Sequence, residues 1–430
     1  LIFKKGYRGS KNKNEVTKTI NKIMKTTTYV RLSVMMFLEY FIWGVWYVTM
    51  GIYLTKIGFQ GSDVGSAYST IAWAAVISAF FVSLIADKYF AAQKLTGILH
   101  IVGGILMYFV STIKNPDLFF WVLLAYAICY MPTIALTTAI GLHHCTDPGT
   151  QYPNIRVLGT MGWIASGLTI SFLGIESGPQ PMWLAALFSI LLGFYSFTLP
   201  HTPPKSKNKT LSVREILGFD ALKLMKNKSL AILSISALLI TLPFAMYHPF
   251  TNMFLNEIGV ANAAGKMTLA QMSEVLFMLM IPFLFKRLGI KKLLLTGMIA
   301  WVVRYVLFMY GNNDTLVAFL YIGILLHGVS YDFFYVTAQI YMDKKAPQDL
   351  RASVQGFFTL LTYGIGWLIG SYLNGLILQT YQITDETSQV IGHFWKNIMI
   401  VPALIALVVA ILFTIFFTSK NENINIPEKV

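Results

Sequence analysis

The chain has 430 residues and a mass of 48.3 kDa; only 12% of its residues are charged, 56% are hydrophobic and its mean hydropathy is +0.62. Ordinary globular domains carry about 25% charged residues, so a soluble protein of roughly three domains, which length alone would allow, is excluded. The net charge of +14 would otherwise suggest nucleic acid, and two cysteines, Cys129 and Cys145, are too few for a disulfide framework.

In chain order, residues 1–30 form a polar, basic tail. The tail opens on Leu1 and reaches Met24 before the first apolar run. Residues 1–23 read either as an upstream extension, the preferred reading, or as a polybasic arm on anionic lipid. They are not a signal peptide, because the apolar run that follows is too long and lacks a small-residue cleavage site.

From there, apolar runs of about 18–25 residues recur, the length that crosses roughly 30 Å of hydrocarbon as helix. Twelve are expected, at 32–54, 65–85, 95–112, 118–141, 156–174, 180–200, 229–255, 267–285, 293–310, 315–341, 353–380 and 394–418. The loop 201–228 is long and basic, with Lys205, Lys207, Lys209 and Arg214, and divides the spans into a half at 31–200 and a half at 229–418. Residues 419–430 form a second tail.

Basic residues sort by side. With both termini placed in the cytoplasm, 28 Lys and Arg fall on inner segments and 4 (Lys56, Lys114, Lys266 and Lys396) on outer ones. That is the positive-inside pattern of an even number of spans, so the +14 is a topology signal and no nucleic-acid partner is expected. Ala86-Asp87-Lys88 with Lys94 after span 2, and Lys286-Arg287-Leu288-Gly289-Ile290-Lys291-Lys292 after span 8, occupy the same place in each half. They look like remnants of the loop signature of the major facilitator superfamily, with Ser83 where the usual pattern has Gly. The expected fold class is an all-α membrane protein: twelve transmembrane helices, a major facilitator fold of two six-helix halves, with a midplane site between them.

An ionised side chain at the bilayer centre costs about 2.5–3.5 kcal/mol on insertion scales, so each one needs a reason. Glu39, Glu274, Arg304 and Asp332 stand well inside spans, and Arg156 is placed at the entrance of span 5. In span 10, His327 and Tyr331 share a face, with Asp332 beside them and Tyr335 one turn on. One reading makes Asp332 a proton-carrying carboxyl beside a substrate wall; the other makes it a strut paired with Arg304. The first is preferred, since a strut needs neither the His nor the Tyr. Gln271 and Glu274, three apart in span 8, suit the hydroxyls or amide edges of a neutral polar solute, a reading preferred over hydrogen bonding between helices. Arg156, Thr160 and Trp163 form one stripe offering a cation, a hydroxyl and a stacking ring, although spacing alone makes Arg156 equally an ordinary cytoplasmic anchor. Glu39 shares a face with Trp43 and Trp46 and could line the cavity. His100 reads as a packing residue. His143-His144-Cys145 has no acidic partner at a suitable spacing, so no metal is expected, and Gly366-Trp367-Leu368-Ile369-Gly370 reads as helix packing.

Several local patterns carry a resemblance. Tyr130-Met131-Pro132-Thr133, Pro153-Asn154-Ile155-Arg156 leading into Gly159-Thr160-Met161-Gly162, Leu199-Pro200-His201-Thr202-Pro203, Gln271-Met272-Ser273-Glu274, Tyr331-Asp332-Phe333-Phe334 and Arg351-Ala352-Ser353-Val354-Gln355-Gly356 run collinearly over about residues 30–417. Together they resemble the nucleoside:proton symporter family of the major facilitator superfamily. The resemblance implies that Arg156, Thr160, Gln271 and Glu274 contact a nucleoside and that Asp332 couples the proton. It also marks departures. Trp163 stands where the family has Phe, Ala245 and His248 where it has Gln and Asn, His327 for Tyr, Tyr331 for Phe and Glu39 for Gln. Much of the wall is therefore rebuilt.

The expected activity is proton-coupled nucleoside import by alternating access, with Arg156, Thr160, Trp163, His248, Gln271, Glu274, His327 and Tyr331 binding substrate. Glu39 and Arg304 are expected at the cavity or in charge pairs. A facilitator-type transporter of another polar solute, such as a sugar or a nucleoside analogue, is the alternative. An enzyme is not expected, because the buried acids lie singly on separate helices. No cofactor beyond the proton is implied. The expected setting is the bacterial inner membrane, multi-pass, with both termini cytoplasmic and the monomer functional.

Overall fold

The structure, a computed structural model, describes residues 24–81, 90–204, 219–348 and 350–418. The tail 1–23, the Ala86-Asp87-Lys88 turn with Ser83, the stretch bearing Lys205, Lys207, Lys209 and Arg214, and residues 419–430 lie outside the described residues.

In the described residues each of the twelve apolar runs is helical. The first half holds α1 (Thr26–Tyr47), α2 (Met50–Lys56), α3 (Gly61–Phe81), α4 (Ala92–Val110), α5 (Pro116–His144), α6 (Pro148–Leu173) and α7 (Gln180–Ser196). The second holds α8 (Lys228–Glu257), α9 (Ala263–Met267), α10 (Leu269–Tyr310), α11 (Val317–Tyr331), α12 (Thr337–Lys345), α13 (Arg351–Thr359), α14 (Trp367–Thr380) and α15 (Trp395–Phe416). Nine helices among the described residues, counting joined pieces once, are long and apolar enough to cross a membrane, and α7 is a shorter apolar helix. Phe172, Leu279 and Trp121 are 90%, 77% and 64% exposed, as side chains facing lipid would be.

The 42 residues of α10 would make a straight helix about 63 Å long at 1.5 Å per residue, twice the hydrocarbon thickness. The chain instead breaks at Gly289, whose φ of 71° and ψ of 167° are non-helical and favour a residue without Cβ. Two contacts show that it doubles back: Ser273 Oγ accepts from the Gly328 N–H at 3.1 Å, and Arg304 reaches His327 at 3.0 Å. Residues 31 apart could not both touch 327–328 from one straight rod. The basic run Lys286–Lys292 is therefore a turn between two antiparallel arms.

Three features depart from the sequence expectation. Span 5 begins at Pro148, eight residues early, since Asp147 and Pro148 supply an extended residue and a fixed φ at the helix start. Arg156 thus sits two turns inside the helix and not at its entrance. Next, π-helical turns at Asp332–Val336 and Leu360–Gly366 interrupt spans 10 and 11; they depend on tertiary packing and leave no periodic trace. Finally, the all-α expectation omits a small antiparallel hairpin, β1 (Gln382–Thr384) with β2 (Val390–His393). Its turn is tied by Asp385 Oδ1, which accepts from the Thr387 and Gln389 backbone N–H groups at 2.9 Å.

Close helix contacts rest on missing side chains. A Cβ at Gly162 would lie 2.1 Å from the Phe37 carbonyl oxygen, so α6 and α1 meet backbone to backbone. A Cβ at Gly375 would lie 2.7 Å from both the Gly61 carbonyl and the Gly65 Cα, which brings α14 of one half onto α3 of the other.

Candidate functional site

The second half supplies one wall. His327, on α11, is 1% exposed and its ring stacks on Tyr247 at 4.9 Å and on Tyr331 at 5.8 Å. His248 on α8 meets it edge-on at 5.3 Å. Tyr331 continues the wall through a 2.8 Å hydroxyl contact with Tyr363, which stacks on Trp367 at 5.9 Å. Phe244 sits behind these rings, 5.6 Å from Tyr331 and 4.9 Å from Trp367. Pro249, inside α8, and the π turn after Tyr331 break helical regularity here, and such breaks recur at functional sites.

Polar groups punctuate the wall. Glu274 Oε2 lies 3.9 Å from His327 Nε2, and its side chain is 24% exposed. It is also within electrostatic reach of Arg156 and Asp332. Asp332 is fully buried, and among the described residues neither of its carboxylate oxygens has a hydrogen-bond partner. The strut reading is therefore corrected: Arg304 bonds His327 and not Asp332, because its guanidinium is drawn over the Tyr247 ring at 3.3 Å.

The first half contributes α6. Arg156 is half-buried with its guanidinium 4.1 Å over the Tyr40 ring. Thr160 follows one turn on, also half-buried. Trp163 packs edge-on against Trp43 at 5.7 Å and against His248 at 5.9 Å, so it joins the two halves. Trp163, His248 and Gln271 line one cavity together with Ser166, Tyr247 and Thr268. Most of the residues singled out from sequence therefore converge.

Glu39 does not. It is fully buried within the first half, with Oε2 3.0 Å from His100 Nε2 and Oε1 accepting from Thr133 Oγ1 at 2.6 Å. The expectation that it could line the cavity gives way to a hydrogen-bonded network inside one bundle. Among the described residues no group of three His, Cys, Asp or Glu could hold a metal ion; His144 Nε2 contacts Thr202 Oγ1 at 3.0 Å.

Sequence reasoning missed Tyr40, Phe244, Tyr247, Tyr363 and Trp367, since 62 aromatic residues give no local reason to choose among them. It also missed Glu176, in the loop after α6. Glu176 Oε1 accepts from Ser171 Oγ (2.8 Å) and the Ala264 N–H (3.1 Å), while Oε2 accepts from Asn252 (3.2 Å) and Asn256 (3.0 Å). This carboxylate ties the first half to α8 and α9.

Comparison with known proteins bears on the whole chain. YegT of Escherichia coli (strain K12), whose name assigns it to nucleoside transport, is 43% identical over 410 residues, covering 93% of this chain and 96% of that one. The xanthosine permease of Escherichia coli (strain K12) is 33% identical over 418 residues, covering 93% and 97%. The crystal structure of the nucleoside transporter NupG superposes with a TM-score of 0.83 at 30% identity, covering 91% of this chain and 100% of that one. The architecture is thus that of a major facilitator transporter, and the chain is no enzyme. The family described as nucleoside H+ symporter matches residues 24–422, and the chain belongs to it.

Proposed function

We propose that the protein imports nucleosides with protons by alternating access. One observation carries the reading: two carboxyl groups of different exposure stand on one aromatic wall. Glu274 lies beside His327 with its side chain 24% exposed, while Asp332 lies fully buried one residue beyond Tyr331. Glu274, Gln271, Arg156 and Thr160 then hold the solute by hydrogen bonds, and Trp163, His248 and Tyr331 flank its ring. Asp332 takes the proton, which is the coupling ion and the sole cofactor. With its proton it passes between two environments as an uncharged group; without it, it needs a partner. Family membership and the names of the relatives support nucleosides over sugars.

The same proposal takes in topology. Counting α10 as two crossings and adding α3 and α7 raises the nine spans to twelve. The halves are residues 31–200 and 229–418, and both termini lie in the cytoplasm of a bacterial inner membrane, supported by the 28-to-4 charge split. The loop end bearing Glu176 then faces outward and is closed by Glu176 and by the Gly61–Gly375 contact. The monomer is the working unit.

Proteoliposomes with an imposed pH gradient, acidic outside, test the reading. Labelled uridine should accumulate above equilibrium, and an uncoupler should abolish the accumulation. Adenosine or xanthosine should compete and sugars should not. Competition by sugars alone would transfer the site to the alternative solute class.

A further inference from the structure

Arg304 has no part in that reading, yet it is fully buried and touches the wall. Its guanidinium lies over Tyr247 at 3.3 Å, with Trp301 at 5.1 Å and Phe308 at 5.8 Å. Its Nε and Nη2 have no hydrogen-bond partner among the described residues. Among the described residues its one hydrogen bond joins Nη1 to His327 Nδ1 at 3.0 Å.

That bond has a direction. A guanidinium carries five N–H donors and no acceptor. Nη1–H therefore donates, and Nδ1 receives it with its ring lone pair. The ring proton then resides on Nε2, the nitrogen 3.9 Å from Glu274 Oε2. The rings of Tyr247, His248, Tyr331, Phe244 and Trp301 also face His327, at 4.9, 5.3, 5.8, 6.2 and 6.4 Å. None of these contacts sets the tautomer as the guanidinium does.

We propose that Arg304 is a positioning residue: by occupying His327 Nδ1 it fixes the ring proton on Nε2, so that His327 meets the solute as a hydrogen-bond donor beside the Glu274 acceptor. This rests on the proposed transport function. The ligand group that matches the pair accepts from His327 and donates to Glu274, as a hydroxyl does on a single oxygen. Arg304 acts through His327 and has no contact of its own with the solute.

Two measurements on the full chain test this. The first is uridine uptake in proteoliposomes. Losing a hydrogen bond at a buried polar site should raise KM about tenfold in both Arg304→Met and His327→Phe, with kcat changed by less than about twofold. Arg304→Lys, which keeps a donor, should recover most of the affinity. The double variant Arg304→Met/His327→Phe should be no worse than either single one; additive losses would show that Arg304 acts elsewhere and overturn the proposal. The second is nitrogen NMR of histidine-labelled wild-type protein in nanodiscs, with the His327 signals assigned by their loss in His327→Phe. A protonated Nε2 with a bare Nδ1 is expected, and a protonated Nδ1 would overturn the proposal. Absence of nucleoside uptake by a wild type with the expected tautomer would sink the nucleoside reading and leave the role of Arg304 standing.

Discussion

Glu39 and Asp332 are both fully buried carboxyl side chains within spans, one in each half, and their surroundings are opposite. Glu39 is saturated. His100 and Thr133 meet its two oxygens, and the Tyr130 hydroxyl donates to its backbone carbonyl. The network extends a further shell: Ser189 Oγ lies 3.0 Å from His100 Nδ1 and donates to the His100 carbonyl at 3.0 Å. Asp332 has no such company, and it sits where the helix loosens into a π turn. A buried acid whose partners are all supplied within one bundle holds that bundle together. One left without donors has a free valence, and in a transporter that valence is available to a proton. The comparison yields variants that should behave differently although each removes a buried acid.

The largest effect is expected at Asp332. Asp332→Asn keeps shape and removes the proposed proton site, so uphill accumulation of uridine should disappear while exchange of labelled for unlabelled substrate persists. Counterflow and gradient-driven uptake in the same proteoliposomes separate the two. Full accumulation by this variant would move the coupling group elsewhere. Because the proton enters with the solute, wild-type uptake should rise as the outside becomes more acidic, and that dependence should vanish in Asp332→Asn.

Glu274→Gln comes next. It replaces an acceptor-only, partly exposed carboxylate beside His327 with an amide that both accepts and donates. KM for uridine should rise about tenfold, the cost of one mispaired hydrogen bond to a charged group, while a gradient still drives accumulation. Unchanged affinity would remove Glu274 from the site.

Glu39 should break in another way. Glu39→Ala leaves His100 Nε2 without its partner while Thr133 keeps the Tyr130 carbonyl, at a cost of about 1–3 kcal/mol for the unsatisfied group, so the melting temperature should fall. KM and the pH dependence of uptake should stay as in the wild type once corrected for folded protein. Glu39→Gln keeps an acceptor and a donor in place and should be much milder than Ala. A loss of proton coupling in Glu39→Ala would erase the distinction between the two acids.

The contrast also shows what a sequence can and cannot carry. The helices were legible because lipid demands long apolar runs, and even the reversal at Gly289 was marked by its basic flanks. Glu274 and Asp332 stood out because charge is scarce in spans, and Arg156 through the family resemblance. Their partners did not. Nothing near Arg304 in the sequence says that it will bond a histidine 23 residues away and not the aspartate 28 away, since that choice depends on how two arms of a hairpin pack against α11. Likewise, Glu39 and Asp332 look alike in one dimension, and only the folded bundle brings His100, Thr133 and Ser189 to one of them. The π turn at Asp332 is a backbone adjustment to packing with no composition of its own.

Glu176 extends the comparison to the outward end of the proposed topology, where a third carboxylate is saturated, but by both halves at once. Its four donors come from Ser171 on α6, Asn252 and Asn256 on α8, and the Ala264 N–H in α9. Such a group holds a state and not a bundle, because the contacts across the halves must part when the outer end opens. It is 8% exposed, close enough to the surface for water to take over those donors when the end opens. Glu176→Ala should therefore shift the balance modestly toward the outward-open state with little change in folding. A cysteine at Met267, which is 4% exposed and lines the cavity, reports the shift in a background lacking Cys129 and Cys145. Its labelling by an impermeant maleimide added outside should quicken severalfold in Glu176→Ala. An unchanged labelling rate would leave the Gly61–Gly375 contact as the element that keeps the outer end shut, and Glu176 would then belong with Glu39 among the acids that only support structure.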